Sequence, residues 1–310
     1  MKVVFMGTPD FAVSTLRALL RSEHTVEAVF TRADTPKNRG MKLLPPPVKV
    51  AALEAGLPVY QPKTLRDGEA LRVLQDISPD IIVVAAYGRM LPADILALPR
   101  YGCVNVHASL LPAYRGASPI NAAILHGDAG TGVTIMQMDE GMDTGDMLMS
   151  VATPIGPAES YGQLQERLAG IGADALLSAL TDLEKGCAKP CRQDNAKASY
   201  APLIQTKDAQ IDFSAPCRDA ACAIRAYDPA PGAFAFLGGD KLKLFGAQAL
   251  DGESTGAPAG AVICVDGKGA VVQCADGCVR IASVQGAGGK KMPADAFFRG
   301  HSALLRQRFC

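Results

Sequence analysis

The chain has 310 residues, 48% hydrophobic and 20% charged, with 31 basic residues balanced by 31 acidic ones and a mean hydropathy of +0.13. That composition excludes an intrinsically disordered chain, and with no uninterrupted apolar run of about 18 residues the sequence encodes no helix able to span a bilayer. A net charge of zero argues neither for nor against a nucleic-acid partner, and the length suits two domains.

The opening "MKVVFMGTPDF" has neither the long apolar core nor the small-residue cleavage site of a secretory signal, so it reads as a first strand. "TPDFAVSTLRALLRS" then reads as a helix with Thr8 as N-cap and Pro9 at its first helical position. "VEAVFT" is a second strand, and "VKVAALEAGLPVYQP" gives a helix stopped at Gly56 and a short strand. "PDIIVVAAYG" is continuously apolar, as a strand covered on both faces must be, and "GCVNVHAS" follows as the next strand. Strands alternating with helices predict an α/β fold with a doubly wound, mostly parallel sheet. Only Gly7 precedes the first helix, so the GxGxxG signature of a dinucleotide site is missing.

"GASPINAAILHG" reads as a helix with Ser118 as N-cap, Pro119 next and Gly127 beyond its end. The strand "GVTIMQM", the loop "DEGMDTGD", another strand and a long helix through "EKG" complete a first domain, residues 1–185. Residues 186–206, rich in Gly, Pro, Lys, Asp and Asn, read as a linker. In 207–310, short apolar runs alternate with Gly- and Asp-rich turns, which predicts a small β-barrel or sandwich carrying 12 basic against 10 acidic residues. The nine cysteines are odd in number and scattered, so they read as reduced cytoplasmic thiols. Cys187/Cys191 and Cys274/Cys278 are spaced CxxxC with no accompanying CxxC or HxxxH, and no metal is expected.

Alternation along "CVNVHAS" aligns Cys103, Asn105, His107 and Ser109 on one face of a strand, whose end in such sheets borders the ligand crevice. A Cys103–His107 nucleophile pair fails on distance, because four residues at ~3.3 Å separate their Cα atoms by ~13 Å. A Ser109–His107–Asp143 hydrolase triad brings the two strand residues within ~6.6 Å at Cα, but lacks the GxSxG elbow. A third reading makes Asn105 and His107 donors toward an oxygen that becomes negative, with Asp143 orienting or charging the imidazole, as acyl transfer to an external nucleophile needs. A plainer alternative has Asn105 and His107 capping a strand end and Asp143 making a turn with Thr144 and Gly145. Spacing alone leaves these open.

"NVHASLLPAYRGASPINAAI" together with "TGVTIMQMDEGMDTGDML" resembles the folate-dependent formyltransferases, whose pattern is an Asn, a His two residues on, an SLLP segment and a downstream Asp in a DTGD loop. "VVFMGTPDFAV", the loop "NRGMKLLPPPVK" and "GKKM" near the end narrow the resemblance to the branch that formylates methionyl initiator tRNA. The resemblance implies a Rossmann-like formyltransferase domain followed by an OB-like tRNA-binding domain, and 10-formyltetrahydrofolate as co-substrate without a metal. It also implies Asn105, His107 and Asp143 as the catalytic residues. Ser109, Leu110, Leu111 and Pro112 match the folate-binding segment, with Pro112 holding Leu111 extended. The 31–49 loop, with Arg32, Lys37, Arg39, Lys42 and Lys49 against only Asp34, would enter the tRNA acceptor end, Arg39 foremost, with Lys37 and Lys42 beside it. By itself such a charge run is a solvated loop. Lys241, Lys243, Lys290 and Lys291 are candidate phosphate contacts in the C-terminal domain, where "YDPAPGAF" departs from the aromatic residues that often follow Asn-Pro in this branch.

The expected protein is therefore a cytoplasmic monomer with no membrane partner that formylates methionyl initiator tRNA for translation initiation. The alternatives are a formyltransferase acting on a small amine, either glycinamide ribonucleotide or an amino-sugar nucleotide, and a folate- or RNA-binding protein without chemistry.

Overall fold

A computed structural model describes residues 1–37, 42–252 and 255–310. In chain order it begins with β1 (Lys2–Gly7), α1 (Asp10–Leu20), β2 (Thr25–Phe30), β3 (Thr35–Lys37), β4 (Lys42–Leu44), α2 (Pro47–Glu54), β5 (Val59–Tyr60), α3 (Glu69–Ile77) and β6 (Ile81–Ala85). It continues with α4 (Ala93–Leu96), β7 (Cys103–His107), β8 (Arg115–Gly116), α5 (Pro119–Leu125), β9 (Gly130–Gln137), β10 (Met147–Pro154), α6 (Tyr161–Glu184) and β11 (Tyr200–Ala201). The last stretch holds α7 (Cys217–Ala226), β12 (Phe234–Leu237), β13 (Asp240–Asp251), β14 (Val262–Asp266), β15 (Gly269–Gln273), β16 (Gly277–Gly286), β17 (Met292–Pro293) and α8 (Ala294–Gly300). Two compact units result. One comprises Met1–Pro119, Gly132–Thr153 and Gln165–Ala201; the other comprises Ile120–Thr131, Pro154–Leu164 and Pro202–Cys310.

The first unit is built on a seven-stranded sheet of order β10-β9-β7-β6-β1-β2-β5. β1 pairs in parallel with β2 and β6, and β6 in parallel with β7, while β9 runs antiparallel to β7. Val3 to Met6 of β1 and Ile81 to Ala85 of β6 are buried throughout, as their unbroken apolar runs require of central parallel strands. The strand order reverses between β1 and β6, the place where such sheets open a crevice at their carboxyl edge. There the Thr8 hydroxyl donates to the Tyr87 carbonyl at 3.3 Å.

This use of Thr8 corrects one local expectation. Pro9, not Thr8, is the N-cap of α1: its backbone is extended, no side chain caps the helix, and its carbonyl accepts from the Ala12 amide at 2.9 Å. Asp10 is the first helical residue and puts its carboxylate in the first turn, favourable against the helix dipole.

The second unit is a six-stranded antiparallel sheet, β12-β13-β16-β15-β14 with β17 paired to β16. Residues at the C-terminal end of the chain join its two edges. The Phe236 and Cys310 backbones exchange hydrogen bonds of 2.9 Å on one side, and the Phe309 amide donates to Gly260 O at 2.8 Å on the other. Residues 308–310 thereby bridge β12 to the residues just before β14 and close the sheet as a small barrel. α7 and α8 pack on it over a core that includes Ile224, Phe234, Leu244, Val272, Ile281 and Phe298.

Cys103 sits in the core of the first unit, 1% exposed, with its sulfur 3.7 Å from Ile95 O, and burial pushes its thiol up to about 12. In the unfolded chain the same thiol ionises near ~8.5, so the contribution of the neutral thiol is fully present below that pH and is lost as pH rises toward 12. Denaturant midpoints should therefore decline between about pH 9 and 12, and less steeply in Cys103→Ala, although that variant starts from a lower value. An unchanged slope in the variant would contradict this assignment.

Candidate active site

β7 lies between two neighbours that fix its register: Asn105 is opposite Val84 of β6 on one side and Met136 of β9 on the other, and His107 is opposite Thr134. Alternation puts Asn105 and His107 on one face, and His107 is the last residue of the strand. Asp143 comes from the loop between β9 and β10. Its Oδ1 lies 3.4 Å from Asn105 Nδ2 and 3.6 Å from His107 Nδ1, while its Oδ2 accepts from the Gly116 amide at 2.8 Å.

The donors of Asn105 and His107 thus converge on one oxygen position. Both approaches to Oδ1 are long, whereas the Gly116 bond is of normal length. His107 is 5% exposed, and its Nε2 lies 2.9 Å from the Tyr114 carbonyl. Both groups facing the ring are acceptors, so Nε2, set against a backbone carbonyl, carries a hydrogen.

Four non-glycine residues among those described have positive φ. Three of them belong to loops at this edge: Ala86 directly after β6 (φ 45), Tyr114 (φ 58) and Asp143 (φ 54). A left-handed backbone at such residues is held by its surroundings, and strain of this kind concentrates at functional sites.

Ser109 is fully buried. Its hydroxyl donates to Ala113 O at 2.5 Å, and its carbonyl accepts from Thr134 Oγ1 at 2.7 Å. Since His107 Nε2 faces Tyr114 O and Nδ1 faces Asp143, no Ser109–His107 pair exists, which removes the hydrolase triad. The Leu111 amide donates to Thr134 Oγ1 at 3.1 Å, so Thr134 grips the SLLP turn at two points. Leu110 and Pro112 are half-buried, and the Leu111–Pro112 peptide is cis.

The basic loop divides. Lys49 Nζ is 2.8 Å from Asp34 Oδ1 and 2.8 Å from Gln61 Oε1, and the Lys49 bond to Asp34, with one donated by Gln61 Nε2 to Asp34 Oδ1 at 2.8 Å, holds the Asp34 carboxyl below its usual range. Lys49 therefore closes the base of the loop, while Arg32 donates to Gly88 O at 3.1 Å. Lys37 and Lys42 are opposite each other in the β3–β4 register. Arg39 and the side chains of Lys37 and Lys42 lie outside the described residues. In the C-terminal unit, Lys241 lies 3.3 Å from the centre of the Phe234 ring and Lys291 4.3 Å from that of Phe245. Lys243 donates to Pro231 O at 3.1 Å, and Lys290 is exposed.

Sequence reasoning missed Arg115 and Gln193, both buried and bonded to each other next to the Asp143 loop. Arg115 stands inside the motif that carries the resemblance, where nothing in its spacing singles it out. Gln193 sat in a polar, aperiodic stretch that carries no local signal of burial.

Residues 1–180 match the family described as formyl transferase, and residues 203–302 match the formyl transferase C-terminal domain. The chain belongs to the formyl transferase family. This formyltransferase is 46% identical over 299 residues to the methionyl-tRNA formyltransferase of Syntrophus aciditrophicus, covering 96% of each chain. It is 47% identical over 310 residues to the protein of the same name from Bordetella pertussis, covering 97% of this chain and 99% of that one.

Solved structures agree on the fold. The N-formyltransferase from Helicobacter canadensis, in complex with folinic acid and dTDP-3-aminofucose, superposes with a TM-score of 0.67 at 18% identity over 94% of this chain and 100% of its own. HypX from Aquifex aeolicus, in complex with tetrahydrofolic acid, gives 0.65 at 17% identity over 99% of this formyltransferase and 48% of its own length. Among the described residues no helix is long and apolar enough to cross a membrane.

Proposed function

We propose that this formyltransferase moves the formyl group of 10-formyltetrahydrofolate to the α-amino group of methionyl initiator tRNA. The observation that carries the acceptor is the near-full-length identity to relatives named for that substrate. In the reaction the amine lone pair attacks the formyl carbon, and the carbonyl π pair moves to oxygen. Asn105 donates the second hydrogen of its amide to that oxyanion, and His107, held beside it by Asp143, stabilises it. Asp143 holds the imidazole in place and takes the amine proton, directly or through water. Collapse re-forms the carbonyl and breaks the bond from carbon to the folate nitrogen, which receives the proton that Asp143 took from the amine, and leaves tetrahydrofolate and formylmethionyl-tRNA.

The SLLP turn forms the wall beside this centre. Leu110 and Pro112 present surface to the folate, while Ser109 and Leu111 hold the turn in place through Ala113 and Thr134. Of the basic loop, Arg39, Lys37 and Lys42 contact acceptor-end phosphates. The opposed register of Lys37 and Lys42 at the base of the segment holding Arg39 supports this reading. Residues 1–185 carry the chemistry, 186–206 link, and the barrel from 207 onward grips the tRNA. The enzyme works in the cytoplasm as a monomer, away from membranes.

The expected test result is direct transfer. Enzyme given only the formyl-labelled donor acquires no covalent label, and adding methionyl initiator tRNA moves the label to the methionine amine. Label on the protein would overturn the mechanism. Replacing Arg39 with Ala should raise the KM for the tRNA about tenfold, the size of one charge-assisted hydrogen bond of ~1.5 kcal/mol. The KM for the folate should stay unchanged. Equal rises in both would remove Arg39 from the tRNA site.

A further inference from the structure

We propose that Gln193 is a positioning residue for Asp143, fastening the loop that carries the carboxylate in the left-handed backbone from which it reaches Asn105 and His107. The inference rests on the reading of that trio given above. It concerns a segment, residues 181–202, that lies between the two matched family regions.

Gln193 is 5% exposed, and its Nε2 donates to the carbonyls of Asp143 at 2.9 Å and Gly145 at 2.7 Å. Its Oε1 accepts from Arg115 Nε at 3.1 Å and Arg115 Nη2 at 2.8 Å, and the same Nη2 donates to Asn195 Oδ1 at 2.8 Å. Arg115, 2% exposed, has only donors to offer, so it admits one orientation of the Gln193 amide, oxygen toward the guanidinium and both N–H groups toward the loop. A flipped amide would set donors against donors on one side and a carbonyl against two carbonyls on the other.

The same segment reaches the carboxylate by a second route. β11 pairs with β8: the Arg115 amide donates to Ser199 O at 2.8 Å and the Ala117 amide to Ala201 O at 2.9 Å. Gly116, between them, has φ 114 and approaches so closely that a Cβ there would stand 2.7 Å from Ala201 O. Its amide is the one bonded to Asp143 Oδ2. Residues 193–201 therefore set the backbone of Asp143 through Gln193 and the angle of its carboxylate through Gly116.

A non-glycine residue at positive φ is held there by its surroundings. The 3.4 and 3.6 Å contacts at Oδ1 are too long to do this, whereas the two buried bonds to backbone carbonyls are of normal length. Without them the loop relaxes and the carboxylate leaves the position on which both donors are aimed.

Gln193→Glu isolates the effect. The carboxylate still accepts from Arg115 but has no hydrogen to give, and it faces two carbonyl oxygens. Gln193→Met removes both interactions at similar length and serves if the first variant folds poorly. Activity is expressed per molecule competent to bind tetrahydrofolate. We expect kcat to fall about 30-fold, the worth of two hydrogen bonds, with KM for either substrate little changed. The deciding measurement is single-turnover transfer in a cycle with Asp143→Ala: Gln193→Glu should cost nothing further once Asp143 is gone. An equal loss in both backgrounds, or no loss with Asp143 present, overturns the proposal. Full activity of Asp143→Ala alone would instead overturn the reading of the trio, and this inference with it.

Discussion

Asn105→Ala is expected to reduce kcat by roughly 10²–10³, the ~3–4 kcal/mol carried by one preorganised donor to a developing oxyanion, and Asp143→Ala by roughly as much, the worth of a positioned proton acceptor. The two losses have different origins. Removing Asn105 deletes one of the two groups that converge on the oxygen position. Removing Asp143 strips the charge beside His107 Nδ1 and releases the Gly116 amide that anchors the carboxylate. Neither side chain lies in the hydrophobic core, so thermal stability and tetrahydrofolate affinity should stay near those of the parent enzyme. Single-turnover formyl transfer with saturating donor and acceptor measures the effect. Parent-like rates in either purified variant would remove that residue from the mechanism.

Gly145→Ala is expected to be nearly as damaging through the backbone alone. Gly145 is buried in the loop that carries Asp143, and a Cβ there would stand 1.8 Å from the Gln137 carbonyl oxygen and 3.0 Å from its carbon. These are backbone atoms at the end of β9, further tied by the bond from the Gln137 amide to Asp146 O at 2.8 Å, so no side-chain rotation relieves the overlap. The loop must move, at ~2–3 kcal/mol of stability, and a displacement of the reacting groups by ~1 Å costs about 10²-fold in rate. Gly170→Ala is the control. It lies in α6 with nothing within 4 Å of its built Cβ, so alanine there should be neutral or stabilise by ~0.5–1 kcal/mol. Chemical denaturation and kcat measured on both variants decide the matter. Parent-like behaviour of Gly145→Ala would show that the DTGD loop does not depend on this close approach.

Much of the architecture was legible because it rests on periodicity. The unbroken apolar run of β6 marks a central strand, and the alternation of β7 puts Asn105 and His107 on one face. Asp143 was reachable only through resemblance, since nothing in residue spacing joins a strand at 105 to a loop at 143. What stayed hidden depends on tertiary contacts that leave no period. Asn121 belongs with the second unit because its amide donates to Ala226 O at 2.6 Å, and the Gly162 amide likewise donates to Asp228 O at 3.0 Å. The closure of the barrel by residues 308–310 and the burial of Gln193 under Arg115 are of the same kind. In each case polar groups inside an apparently loop-like stretch are satisfied by partners distant in sequence.

The acceptor decides the function. Formyl-labelled 10-formyltetrahydrofolate, offered in parallel reactions with methionyl initiator tRNA, glycinamide ribonucleotide and an amino-sugar nucleotide, measures it directly. The label should move to the methionine amine of the tRNA, with transfer to the two small amines at background. Preferred labelling of either small amine, or of none of the three, would contradict it.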